Sequence, residues 1–141
     1  MSSFIPFIDK YNEFIERTMM DEEAFLAEIG EYITDDSILD EPESIPGLGH
    51  LVGVDGWNQW RRTAFAMAVS AQPEFTIGEA EYFEKESVVL RYYTVTFSAN
   101  AAFPDGFATS IIERYEFAGG TIARLAEYYA DTTAFARYFA A

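Results

Sequence analysis

Three glutamates and one arginine carry the chemistry available to this 141-residue chain. Glu113 stands in a run of alternating character, Phe107 to Phe117, in which Phe107, Thr109, Ile111, Glu113, Tyr115 and Phe117 share one face. An acid on an apolar face resists ionisation, and a carboxyl with a raised pKa suits proton transfer near neutral pH. The same burial also suits a structural hydrogen bond or ion pair, so two roles fit Glu113. Arg91 shares its face with Val89, Tyr93, Val95 and Phe97, where its guanidinium can meet Glu113 or Glu127 across strands. Glu41 follows Asp35, Asp36 and Asp40 and precedes Glu43, the setting of a solvated loop acid. His50, the single histidine, lies in Gly47-Leu48-Gly49-His50-Leu51 and reads as a surface loop residue near a pocket mouth. The absence of cysteine removes disulfides, thiolate nucleophiles and zinc–thiolate sites. No Gly-rich phosphate loop, nucleophile elbow or metal-ligand spacing occurs, so neither a cofactor nor a metal is expected.

The elements that must position these groups follow from periodicity. Phe4, Phe7, Ile8, Tyr11, Phe14 and Ile15 recur at helical spacing, with Pro6 tolerable in the first turn. Asp21 is a suitable N-cap for a second helix burying Phe25, Leu26, Ile29 and Ile33. Residues 36–40 read as a short strand leading into a Gly- and Pro-rich loop. Asp55 can cap a third helix with Trp57, Trp60, Ala64 and Met67 or Ala68 on one face. From Pro73 onward the pattern is strand-like, with strands over Val88–Ala99, Phe107–Phe117 and Thr121–Tyr129 and a turn at Ala118-Gly119-Gly120. Asp131 then caps a last helix holding Phe135, Tyr138 and Phe139. Helices before an antiparallel run predict an α+β domain spanning 1–141, with the helices on one sheet face.

Composition narrows the partners. A net charge of −15 repels phosphate backbones and anionic headgroups, so neither nucleic acid nor a membrane surface is an expected partner. A 50% hydrophobic content excludes a disordered acidic tail. No apolar run is long enough to span a bilayer and no basic-then-apolar leader opens the chain, so a soluble, cytoplasmic protein is expected. Trp57, Trp60, Tyr92, Tyr93, Tyr115, Tyr128 and Tyr129 fit either a core or the lining of a pocket for a flat polycyclic ligand.

Three segments add a resemblance over essentially the whole chain. They are Asp35 to Pro42, then Gly53-Val54-Asp55-Gly56-Trp57, then Tyr115 to Arg124 leading into Glu127-Tyr128-Tyr129-Ala130-Asp131. In this order they resemble the nuclear transport factor 2-like superfamily, which includes ketosteroid isomerases, scytalone dehydratases, limonene epoxide hydrolases and SnoaL-like polyketide cyclases. The resemblance implies a cone-shaped, curved antiparallel sheet wrapped around N-terminal helices, a cystatin-like fold with an apolar pocket. It also implies a homodimer formed through the outer sheet face.

By comparison with the isomerases, Glu41 before Pro42 takes the place of the proton-shuttling base. Glu113 takes the place of a neutral acid that hydrogen-bonds the enolate oxygen. Both are one methylene longer than that family's aspartates. Arg17 and Thr18 stand where its first-helix tyrosine belongs, and Tyr11 lies roughly two turns earlier. By comparison with the epoxide hydrolases, Arg91 and Glu127 fall near a water-activating group, with Tyr93 where a second acid is expected. Asp131 falls where many members carry an acid at the pocket rim.

The expected function is therefore a cofactor-independent acid–base enzyme acting on a hydrophobic, carbonyl-containing small molecule, as an isomerase, cyclase or dehydratase. Its catalytic candidates are Glu113, Glu41, Arg91 and Glu127, and its pocket candidates are Tyr11, Trp57, Trp60, Tyr93, Tyr115, Tyr129 and Asp131. A non-catalytic ligand-binding or dimerisation module is the first alternative and an epoxide hydrolase the second.

Overall fold

A computed structural model describes residues 2–71 and 74–140. The first helix, α1 (Ile5–Thr18), buries Ile8, Tyr11, Phe14 and Ile15, the stripe expected from its spacing, with Pro6 in its first turn. The second, α2 (Glu22–Glu28), starts at Asp21, whose side chain accepts a hydrogen bond from the Ala24 amide at 3.0 Å. It is shorter than expected. A 3-10 turn at Ile29–Glu31 ends it, Leu26 is 44% exposed, and Ile33 belongs to the next strand.

Among the described residues, seven strands form one sheet: β1 (Ile33–Asp40), β2 (His50–Val52), β3 (Phe75–Ile77), β4 (Glu81–Lys85), β5 (Val88–Phe97), β6 (Phe107–Ala118) and β7 (Thr121–Tyr129). Their order is β2-β1-β7-β6-β5-β3, with β4 also on β5. The sheet is mixed rather than wholly antiparallel, because β1 runs parallel to β7. β1 begins three residues earlier than the 36–40 reading, and His50 lies on β2 rather than in a loop. The expected onset of strand character at Pro73 lies outside the described residues; β3 begins at Phe75.

Helix α3 (Gly53–Ala71) begins at Gly53, so Asp55 sits in its first turn and is not its cap. Gly53 has φ +69°, and a Cβ there would meet the Asp35 carbonyl oxygen at 2.7 Å. Gly53→Ala is therefore expected to cost about 1–3 kcal/mol, read as a lower urea midpoint with unchanged far-UV dichroism. Helix α4 (Thr132–Ala140) is capped as expected, with the Ala134 amide donating to Asp131 Oδ1 at 2.8 Å.

The inner sheet face carries two hydrophobic clusters. One joins Val89, Tyr115, Phe117 and Leu125 to α1 and to Trp57 of α3. The other joins Tyr93, Val95, Phe97 and Ile111 to Phe135 and Tyr138 of α4. Along β6 the inward order is Phe117, Tyr115, Glu113, Ile111, so the acid falls at the seam between the clusters. Among the described residues, no helix is long and apolar enough to cross a membrane.

Candidate active site

Strand register assembles the seam. Arg91 pairs with Glu113, Glu113 pairs with Glu127, and Asp40, the residue before Glu41, pairs with Ala126. Arg91, Glu113, Glu127 and Glu41 thus form one polar row across β5, β6, β7 and the end of β1. The Glu41 amide donates to the Gly49 carbonyl at 2.9 Å, which turns the chain at the end of β1.

The row divides into two units. Glu113 is only 4% exposed. Its Oε1 accepts from Arg91 Nη1 at 2.8 Å and from the Tyr115 hydroxyl at 2.9 Å. Its Oε2 accepts from the Tyr93 hydroxyl at 3.1 Å. With three donors turned on it, one of them a guanidinium, Glu113 is placed as an acceptor and not in the donor role that the isomerase comparison implies. Burial opposes the Arg91 charge, but the Glu113 carboxylate overcomes it and raises the guanidinium pKa.

Glu41 and Glu127 form the second unit. Glu41 is 5% exposed, which overturns its reading as a solvated loop acid. Burial raises the Glu127 pKa well above the ordinary range, reinforced by the charges of Glu41 and Glu113. Burial likewise pushes Glu41 up to about 7, against a hydrogen bond from Glu127 that lowers it. Two carboxyls gathered at one phenol disfavour a second negative charge, so the unit keeps a proton to higher pH than a solvated carboxylate does. The Tyr129 hydroxyl lies 3.4 Å from Glu41 Oε2 and 3.3 Å from Glu127 Oε2. Glu41 Oε1 is buried and meets no donor among the described residues.

A cavity of 370 Å³ opens beside this row. Its polar end is formed by Tyr11, Asn12, Glu113, Glu127 and Tyr129, and its apolar end by Met67, Ala68, Phe75, Ile77 and Phe139. The Tyr11 hydroxyl accepts from Trp57 Nε1 at 2.9 Å. Its own hydrogen meets no acceptor among the described residues and is available to the cavity. Burial raises the Tyr11 pKa well above its usual value, so it keeps that hydrogen. Among the described residues, no group of three or more His, Cys, Asp or Glu side chains is gathered to hold a metal ion.

Of the residues singled out from sequence, Glu113, Glu127, Tyr11, Trp60, Tyr93 and Tyr129 line the cavity. Four do not. Trp57 and Tyr115 are fully buried behind it, donating to Tyr11 and Glu113. Arg91 stands behind Glu113 with its guanidinium over the Tyr93 ring at 4.5 Å. Asp131 is exposed and serves as a helix cap. Glu41 touches the cavity wall only through Glu127 and Tyr129. His50 also lies away from it, with Nδ1 2.7 Å from Asp40 Oδ1. Sequence reasoning missed Asn12, which follows Tyr11 and donates to the Tyr115 hydroxyl at 3.3 Å. Its polarity within the first helix's apolar stripe was the available signal.

The buried pair sets a pH dependence of stability. In the unfolded chain Glu41 titrates near 4.5, and in the folded chain at about 7. Between these values the folded state binds more protons, so stability falls as pH rises. The expected loss is up to about 3 kcal/mol, and Glu41→Gln should flatten the slope in urea titrations. Asp40 acts with the opposite sign. It is partly desolvated, yet hydrogen bonds from His50 and Arg124 hold it below the usual carboxylate range. Its contribution is lost as pH falls, which places maximal stability at about pH 4 to 5.

No protein-family model matches the chain, and no curated protein matches it in sequence. Solved structures match it in fold. A nuclear transport factor 2-like protein of unknown function from Burkholderia pseudomallei aligns with a TM-score of 0.68 at 14% identity, covering 100% of both chains. TerC, co-crystallised with polyporic acid, aligns with a TM-score of 0.63 at 17% identity, covering 93% of this chain and 92% of that one. A candidate polyketide cyclase from Xanthomonas campestris aligns with a TM-score of 0.59 at 12% identity, covering 90% and 92%. The chain has the nuclear transport factor 2-like, cystatin-like fold that its sequence suggested.

Proposed function

We propose that this chain is an acid–base enzyme that moves a proton at a carbon beside a carbonyl on a hydrophobic small molecule. The observation that carries this reading is that the Glu41 and Glu127 carboxyls meet at the Tyr129 hydroxyl, with Glu127 and Tyr129 in the wall of an apolar cavity. A pair holding one proton is both an acid and a base. When the shared proton resides on Glu41, the Glu127 carboxylate is free to take a proton from the substrate carbon. The electrons pass to the carbonyl oxygen, and the Tyr11 hydroxyl is placed to hydrogen-bond the resulting enolate. Return of the proton to a different carbon completes an isomerisation, and attack of the enolate on a second carbonyl closes a ring. Glu113, fixed by Arg91, Tyr93 and Tyr115, supports one wall of the cavity.

The fold neighbours include a candidate cyclase and a protein crystallised with polyporic acid, which supports a pocket for organic ligands of this size. A non-catalytic binder is the second reading, favoured by Glu41 standing behind Glu127 rather than in the cavity. Epoxide hydrolysis is less well supported, since Arg91 holds one carboxylate and does not line the cavity. A homodimer through the outer sheet face is part of the proposal, drawing on exposed Ile112 and Tyr128. The enzyme reading is tested by incubating a panel of hydrophobic enolisable ketones in D2O and following loss of the α-proton signal. Exchange above the buffer rate supports it. Binding of a ketone without exchange selects the binder.

A further inference from the structure

The electrostatics of the cavity are one-sided. Glu113 and Glu127 reach its wall, and Glu41 stands behind Glu127 with a buried oxygen that no donor meets. Among the described residues, no Lys, Arg or His lines the cavity. The nearby guanidinium of Arg91 is engaged by Glu113 at 2.8 Å, so those two charges cancel. Above about pH 7 the Glu41–Glu127 unit carries a negative charge, and no cation in the cavity wall meets it. Around it the walls are aromatic, with Trp60, Tyr93, Phe97, Tyr129 and Phe135 all lining the cavity. Aromatic faces attract cations, and a water-poor cavity magnifies every charge within it. The net charge of −15 acts in the same sense at long range, drawing cations in and repelling anions. At the opposite end, Phe75 and Ile77 are 56% and 52% exposed, forming an apolar rim for the body of a ligand.

We propose that this cavity selects hydrophobic amines in their protonated form, with the ammonium group against Glu127 and the apolar body directed toward Phe75 and Ile77. The inference rests on this cavity being the ligand site, as in the function proposed above, but not on catalysis. It narrows the substrate class to carbonyl compounds that carry a basic nitrogen.

The charged and titratable groups near Glu127 are Glu41 at the end of β1, Glu113 on β6, Tyr129 on β7, Tyr93 on β5 and Tyr11 on α1, with Arg91 of β5 behind Glu113. The tyrosines keep their protons, because burial raises Tyr11, Tyr93 and Tyr129. Arg91 keeps its charge against Glu113. Glu41 is the group that changes near neutrality, so the negative charge beside the ammonium grows as pH rises through about 7.

The test is calorimetric titration of the full chain with three probes sharing one ring system: naphthylmethylamine, naphthalenemethanol and naphthoate. The amine is expected to bind tighter than the alcohol by about tenfold, and the alcohol tighter than the carboxylate. The amine's affinity should rise between about pH 6 and about pH 8 while that of the alcohol stays level. Glu127→Gln should remove the amine's advantage over the alcohol. Naphthoate binding as tightly as the amine overturns the proposal. So does an amine advantage that survives Glu127→Gln, since this assigns it to the acidic surface. If Glu127→Gln does not fold, the wild-type ranking and its pH dependence decide alone. Failure of all three probes to bind overturns the ligand site itself, whereas equal binding with α-proton exchange intact overturns only the amine preference.

Discussion

Glu127→Gln is expected to slow α-proton exchange by about 10²- to 10⁴-fold while leaving affinity for a neutral ketone nearly unchanged. Gln keeps the shape of the side chain and can still hydrogen-bond Tyr129 and Glu41, but it cannot accept a proton from carbon. The loss should therefore fall on kcat and not on KM. The pH profile gives a second check. In the wild type the pair must lose one proton to act as a base, and Glu41 does so at about 7. Activity should climb through that value and level off above it. Glu41→Gln should shift or remove the inflection, because Glu127 then has no partner to take its proton. Exchange that survives Glu127→Gln, or that shows no inflection near neutrality, would remove the pair from the mechanism.

Arg91→Met is expected to be the most destabilising of the site substitutions, costing about 3–5 kcal/mol in urea denaturation. The Arg91 and Glu113 side chains are 14% and 6% exposed, so deleting the guanidinium strands a carboxylate in the sheet's inner face. Tyr93 and Tyr115 still donate to it, but two hydroxyls do not replace a charge. The cost should be largely recovered in the double variant Arg91→Met with Glu113→Gln, because the amide carries no charge to leave uncompensated. Arg91 Nε has no acceptor in its buried position, so the native pair is not itself an optimised source of stability. A single-variant cost below about 1 kcal/mol would mean that water reaches Glu113, placing the pair in the class of surface ion pairs.

The two predictions rest on residues that differed in how legible they were. Glu113 and Arg91 were readable because a strand alternates with period two. Once Ile111, Tyr115 and Phe117 face the core, Glu113 must face it too, and Val89 and Tyr93 place Arg91 likewise. Helix caps at Asp21 and Asp131 were readable because a cap is a contact across three residues. Leu26 and Ile33 misled for a related reason. Their spacing fits a helix, but seven residues of α2 precede a 3-10 turn, and Ile33 pairs with Ile122 of β7 instead. Strands β3 and β4 are short edge segments with mostly exposed side chains, and such segments leave little hydrophobic pattern to read.

By itself, then, the sequence determined the α+β order, the inward faces of β5 and β6, the Gly119-Gly120 hairpin and the presence of acids beside an apolar surface. Each of these follows from neighbours within a few residues, where backbone period and turn chemistry act. The family resemblance named Glu41, but only the tertiary structure decided that it is buried beside Glu127 and Tyr129. Its local surroundings, Asp40, Glu43 and Ser44, are those of a solvated loop. Its burial comes from the parallel pairing of β1 with β7, a contact across more than eighty residues that brings Asp40 beside Ala126. The same long-range register put Trp57 and Tyr115 behind the cavity rather than in it, since hydrophobic burial is non-directional and either position satisfies an aromatic ring. Where an acid lies along its strand is a local matter. Which second carboxyl meets it depends on which distant strand packs alongside, and burial of the whole inner face makes that choice.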